Sequence, residues 1–212
     1  MSEITAANLI SMFAEIAKAM AESKAHLCEL DGVIGDADHG IAMDLGFSTV
    51  ATNLAAPDIT AADPTTVFNT AAKSFLNAVG ASSGPLYATA FMRAGASVKG
   101  KTVLTASDFA DAFIAMAKGI QDRGKAEIGD KTMIDAWVPA AEAVESAKTQ
   151  GASLAEILDK AGKAAEAGAE ATKAMIASKG RSARLGERAI GHIDPGAASA
   201  AILIRAMGKG LG

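Results

Sequence analysis

Three carboxylates crowd the stretch LDGVIGDADHG, where Asp31, Asp36 and Asp38 fall within eight positions, beside His39 and Gly40. Two carboxylates about 5 Å apart, in a medium of effective dielectric about 20, repel by about 3 kcal/mol. A chain that gathers three needs a cation, or raised pKa values, to offset that repulsion. Hard oxygen ligands suit Mg2+ or Ca2+. The calcium-binding helix–loop–helix pattern fails, because counting from Asp31 or Asp36 gives neither its ligand spacing nor its closing glutamate. Zinc would ask for more histidine or cysteine than His39. Mg2+, which takes a few carboxylates and leaves room for phosphate oxygens, fits the loop better. The bland alternative is a set of solvated turn formers, with Asp38 as a helix cap.

Three further stretches carry polar chemistry. GASSGPL offers successive backbone N–H groups, the hydroxyls of Ser82 and Ser83 and a helix start, a combination that suits an anion. It also matches the G-x-S-x-G nucleophile pattern, but that motif needs a strand before its serine and here a helix precedes it. GKAEIGDKT resembles a phosphate loop superficially; Asp130 intrudes between Gly129 and Lys131, which leaves a helix start with Asp130 as cap. KGRSARLGERAIGHIDPGA brings Arg181, Arg184 and Arg188, whose guanidinium groups can face phosphate or simply be solvated, and ends in a second helix start. His26 and His192 read as structural or loop hydrogen-bonding residues.

The elements that would position these loops are helices. Leu9, Phe13, Ile16, Met20 and Leu27 recur at helical spacing, giving a long first helix that ends before the Asp-bearing loop. A second helix spans about 40–54, then a linker 57–64. A third spans 64–79, a fourth starts near Pro85 and reaches 99, and a fifth, capped by Ser107, reaches 123. A sixth spans 132–148, and a seventh, capped by Ser153, reaches 178. Asp194-Pro195 opens an eighth that reaches 207. No run alternates apolar and polar residues well enough for a strand. The expectation is one all-α domain, 1–212, of about eight antiparallel helices. In an up-and-down array alternate loops share an end, so the four polar loops, after helices one, three, five and seven, converge. Mg-bound polyphosphate is the ligand that explains all four.

Composition narrows the function classes. Half of the 212 residues are apolar but only 4% are aromatic, and the net charge is −4. That charge argues against a general nucleic-acid binder. There is no apolar run of membrane-spanning length and no secretory signal, and Cys28 is alone. A reducing cytoplasm is the expected setting.

LDGVIGDADHG, GASSGPLYAT, RGKAEIGDKTMIDAWVPA and KGRSARLGERAIGHIDPGAAS, in this order and spacing, resemble the L (nucleotide-binding) subunits of dihydroxyacetone kinase, the DhaL family. The similarity runs over nearly the whole chain. It implies a closed barrel of eight antiparallel helices with ADP or ATP at one end, and two Mg2+ ions on Asp31, Asp36 and Asp38. His39, Gly40, Ile41 and Ala42 would line the nucleotide site, with Ser82 and Ser83 near the phosphates and Gly124 and Met133 near the base. Arg181 and the Asp194-Pro195-Gly196 turn would complete it, Arg181 being the side chain that stabilises charge on the transferred group. The family commonly has a polar residue, often Asn, where this chain has Ala42. The resemblance further implies two partners. One is a K subunit that holds dihydroxyacetone, and the other is an M subunit that recharges ADP from phosphoenolpyruvate. Relatives that use exchangeable ATP, or another keto sugar such as erythrulose, leave an alternative open, as does a nucleotide-sensing module that docks on a regulator.

Overall fold

Helix starts are fixed by side chains that satisfy the first-turn N–H groups. Thr5, Thr105 and Ser153 each close a reciprocal capping box, with Asn8, Asp108 and Glu156. They open α1 (Ala6–Ile34), α5 (Ala106–Gly124) and α7 (Leu154–Ala171). Asp63 caps α3 (Pro64–Ala78) by accepting from the Thr66 N–H at 2.7 Å. The remaining helices are α2 (His39–Leu54), α4 (Ser83–Ser97), α6 (Ile134–Thr149) and α8 (Pro195–Leu211), with 3-10 segments at Thr172–Ala174 and Arg181–Ala189. The computed structural model describes residues 3–56, 59, 62–80 and 83–211, without the side chains of Arg181 and Ser182. Much of the expected linker 57–64 lies outside those residues. Among them there is no strand; Ile4 and Leu104 exchange two backbone hydrogen bonds of 2.8 Å in an isolated bridge. No described helix is long and apolar enough to cross a membrane.

The all-α reading holds, and four boundaries shift for physical reasons. α1 continues through Asp31 to Ile34, so only Asp36 and Asp38 sit in the connecting turn, which Ala37 makes at φ 62. The fifth helix starts from Thr105 rather than Ser107, because Asp108 three residues on can return the bond to Thr105 N–H at 2.9 Å. α6 begins at Ile134, two residues late, because Asp135 reaches back to accept from Thr132 N–H at 2.7 Å. α7 stops at Ala171 instead of 178. Thr172 turns its carbonyl to the Lys131 ammonium at 2.6 Å, and its hydroxyl oxygen accepts from Asp194 N–H at 2.9 Å.

Each helix packs on its neighbours in sequence, and α8 returns to pack on α1, so the array closes on itself. The few aromatic residues fill its centre. Phe13, Phe47, Phe75, Tyr87, Phe91, Phe113 and Trp137 are fully buried. Ring pairs such as Phe47–Phe75 at 4.9 Å and Phe13–Phe91 at 5.2 Å meet tilted or edge-on, the favourable geometries. Small residues let backbones approach: a Cβ on Gly40 would be driven into the Lys24 carbonyl oxygen, so glycine there sets the close crossing of α2 on α1.

Candidate functional site

A cavity of about 460 Å3 opens at one end of the array and takes lining residues from the α1–α2, α3–α4, α5–α6 and α7–α8 connections. The convergence expected of alternate loops is therefore present. Its lining is of two kinds. Leu86, Ile120, Ala126, Met133 and Ile134 are apolar; Asp31, Asp36, Asp38, Lys131, Lys179 and Asp194 are charged. Such a lining suits a ligand with a flat apolar part and a charged part.

The carboxylates of Asp31, Asp36 and Asp38 each offer an oxygen within 4.8 Å of the others, Asp31 buried and the other two exposed. Asp31 also organises the next helix. Its Oδ2 accepts from the N–H groups of Asp38 at 2.9 Å and His39 at 3.2 Å, so the start of α2 is capped from the last turn of α1. The Asp38 side chain does not cap its own helix. Three hard oxygen donors, one from the end of α1 and two from the short turn braced in this way, fit Mg2+.

His39 Nε2 lies 2.8 Å from Ser199 Oγ, which itself donates to the Gly196 carbonyl at 3.0 Å. Burial pushes the imidazole below its ordinary value, with the Asp31 charge acting in the opposite sense. Asp194, also in the lining, caps α8 by accepting from Ala197 N–H at 2.8 Å. Burial pushes its carboxyl up to about 7, against the Ala197 bond and the Lys131 charge. Lys131 is almost fully buried, adopts φ 57, and donates to the carbonyls of Thr172 at 2.6 Å and His192 at 2.5 Å. Burial lowers its ammonium from the usual lysine range, against the charges of Asp194 and Asp135.

Of the residues expected at a nucleotide site, His39, Ser83, Gly124, Met133, Asp194 and Gly196 line this cavity together with the three aspartates. Gly40, Ile41, Ala42 and Pro195 do not line it. Gly40 is buried against α1, Ile41 is half exposed, and Ala42 packs on the core. Ser82 and the Arg181 side chain lie outside the described residues. Lys131 and Lys179 line the cavity without having been singled out from sequence. A lysine in a glycine-bearing loop reads as solvated until its two carbonyl partners, 41 and 61 residues away, are seen.

A family model described as the DAK2 domain matches residues 33–209. The chain belongs to the DAK2 domain family. Among its DAK2 relatives is the Escherichia coli protein named PEP-dependent dihydroxyacetone kinase, ADP-binding subunit DhaL. It is 42% identical over 180 residues, which cover 85% of each chain. L-erythrulose 1-kinase of Mycolicibacterium smegmatis is 34% identical over 97% of this chain but only 36% of its own length. The dihydroxyacetone kinase of C. freundii in complex with AMP-PNP and Mg2+ superposes with a TM-score of 0.73 at 26% identity, over 95% of this chain and 33% of that one. This chain thus spans about a third of those two longer proteins.

Proposed function

We propose that this DAK2 chain is the nucleotide-binding subunit of a dihydroxyacetone kinase. It would hold Mg-bound ADP or ATP for phosphoryl transfer to dihydroxyacetone on a separate K subunit. The observation that carries this reading is the clustering of Asp31, Asp36 and Asp38 in the lining of a cavity that also carries the apolar Leu86, Ile120, Ala126, Met133 and Ile134. Relatives of matching length named as ADP-binding kinase subunits support it. Asp31, Asp36 and Asp38 would hold two Mg2+ ions. Bound there, the metal supplies neutralisation of phosphate charge, the main demand of phosphoryl transfer.

The chain's own groups do the positioning. Leu86, Ile120, Met133 and Ile134 give the base a dry wall, beside Gly124. The N-termini of α2, α4 and α8 sit at the same end, where the positive ends of their helix dipoles favour the phosphates. His39 to Ala42, Ser82, Ser83 and the Asp194-Pro195-Gly196 turn are the segments involved. Lys179 adds positive charge, and Arg181 is the side chain assigned to charge that develops on the transferred group. A cytoplasmic setting accords with this role.

The nucleotide would be a resident cofactor, recharged in place by a phosphoenolpyruvate-dependent M subunit; relatives of matching length named as ADP-binding subunits of PEP-dependent kinases support a phosphoenolpyruvate donor. A second reading, an ATP-dependent kinase of a related keto sugar, draws on the erythrulose kinase relative. Purification without added nucleotide decides between them. Stoichiometric ADP, exchanging with labelled ATP far more slowly than turnover, supports the relay. An empty protein that works with K subunit and ATP alone would sink it.

A further inference from the structure

The segment 175–193 leaves the 3-10 turn after α7 and rejoins the array at α8, and it brings Lys179 and Gly180 to the cavity. Its apolar anchorage is slight. Ala177, Ala189 and Leu185 form a small cluster with Ile34 that is separate from the main core. Two of these four are alanines, so burial holds the strap only weakly.

The rest of its hold is polar, and much of it comes from one loop. Lys131 Nζ donates to the carbonyls of Thr172 and His192, which flank the strap at its two feet. Gly191 N–H closes the base on the Lys173 carbonyl at 2.7 Å. Between the feet, Ser178 meets Asp130 twice: its N–H donates to the Asp130 carbonyl at 3.2 Å and its hydroxyl to the Asp130 carboxylate. Ser178 immediately precedes Lys179. The loop is itself braced, because Asp135 accepts from Gly129 N–H at 2.6 Å and Thr132 N–H at 2.7 Å. Lys131 at φ 57 is a left-handed conformation that a non-glycine residue keeps only where its surroundings demand it.

We infer that Asp130 and Lys131 are positioning residues. Lys131 pins the feet of the strap, and the surface Asp130–Ser178 contact holds Lys179 and Gly180 against the nucleotide and limits its release. This rests on the nucleotide-binding reading above. The Ser178 hydroxyl and the Glu127 N–H keep the Asp130 carboxyl below the usual aspartate range, so the contact persists as a charged hydrogen bond at neutral pH.

Ser178→Ala and Asp130→Ala test the idea, with Ser178→Thr as the variant that keeps the hydroxyl. Two rates are read: tryptic cleavage at Lys179, Arg184 and Arg188 without nucleotide, and displacement of a fluorescent ADP analogue in Mg2+. The loss of one such contact should raise both rates about threefold to tenfold while the melting temperature holds. Ser178→Thr should return both to wild-type values. Unchanged cleavage and release in both alanine variants, or equal effects of Ala and Thr at 178, would overturn the inference. If wild-type protein binds no ADP analogue, the nucleotide reading has failed, and cleavage alone decides whether the loop holds the strap.

Discussion

Asp31 has two tasks that pull on the same carboxylate. It faces Asp36 and Asp38 as a metal ligand would, and it takes the first N–H groups of α2. Replacing it with alanine should therefore cost about 1–3 kcal/mol even in EDTA, because two N–H groups lose a charged acceptor. Asp36→Asn, by contrast, should abolish Mg2+-dependent ADP binding while helicity is retained. Urea titration and calorimetry on the two variants separate the roles, and unchanged ADP and Mg2+ binding in Asp36→Asn would count against the metal site. Asp194 offers a test by pH. Its folded value of about 7 exceeds the unfolded value near 4, so the folded chain holds this proton more tightly. The associated stability is complete below about pH 4 and is lost as pH rises towards 7. Asn at 194 keeps an acceptor for Ala197 N–H and carries no proton. Between pH 5 and 8, without nucleotide, wild type should lose more stability in urea melts than Asp194→Asn. Parallel curves would show that burial does not govern this carboxyl.

At the level of elements, the caps decide where helices begin, and they can be tested one against another. Thr105→Ala should cost about 1 kcal/mol, and Ser107→Ala, one residue inside the helix, much less. Equal losses would argue against the capping box. Helix positions were legible in the sequence wherever apolar spacing and a cap coincided, as at Ser153 and Asp194-Pro195. The alternation of chemically rich and plain loops was legible too, and it located the cavity. Boundaries set by contacts distant in sequence were not. Nothing near Ala171 announces a stop, since the cause is Lys131, 41 residues earlier, drawing off the Thr172 carbonyl. Likewise the continuation of α1 to Ile34 depends on Asp31 serving another helix. The GKAEIGDK loop, read as a helix start, matters through partners in the strap that no local pattern reveals.

For the whole molecule, the closed array has its aromatic mass in the centre and its chemistry at one end. A ligand held there by four connections should stabilise the entire fold. At a hundredfold excess over its dissociation constant the gain is about 2.7 kcal/mol, or roughly 5–10 °C in melting temperature for a chain of this size. ADP with Mg2+ should produce that shift in a thermal melt, and ADP with EDTA should not; equal shifts would remove the metal from the account. The chain has one tryptophan and one tyrosine, and both lie in the core, with ring centroids 6.4 Å apart. At that separation excitation absorbed by Tyr87 passes to Trp137, and burial pushes the Tyr87 hydroxyl up to about 12, so tyrosinate does not form near neutral pH. Trp137 also lies one helical turn beyond Met133 and Ile134, which line the cavity. The fold thus carries its own optical gauge: tryptophan emission alone when native, a separate tyrosine band once the pair is pulled apart, and an indole one turn beyond the cavity lining to register the arrival of a ligand.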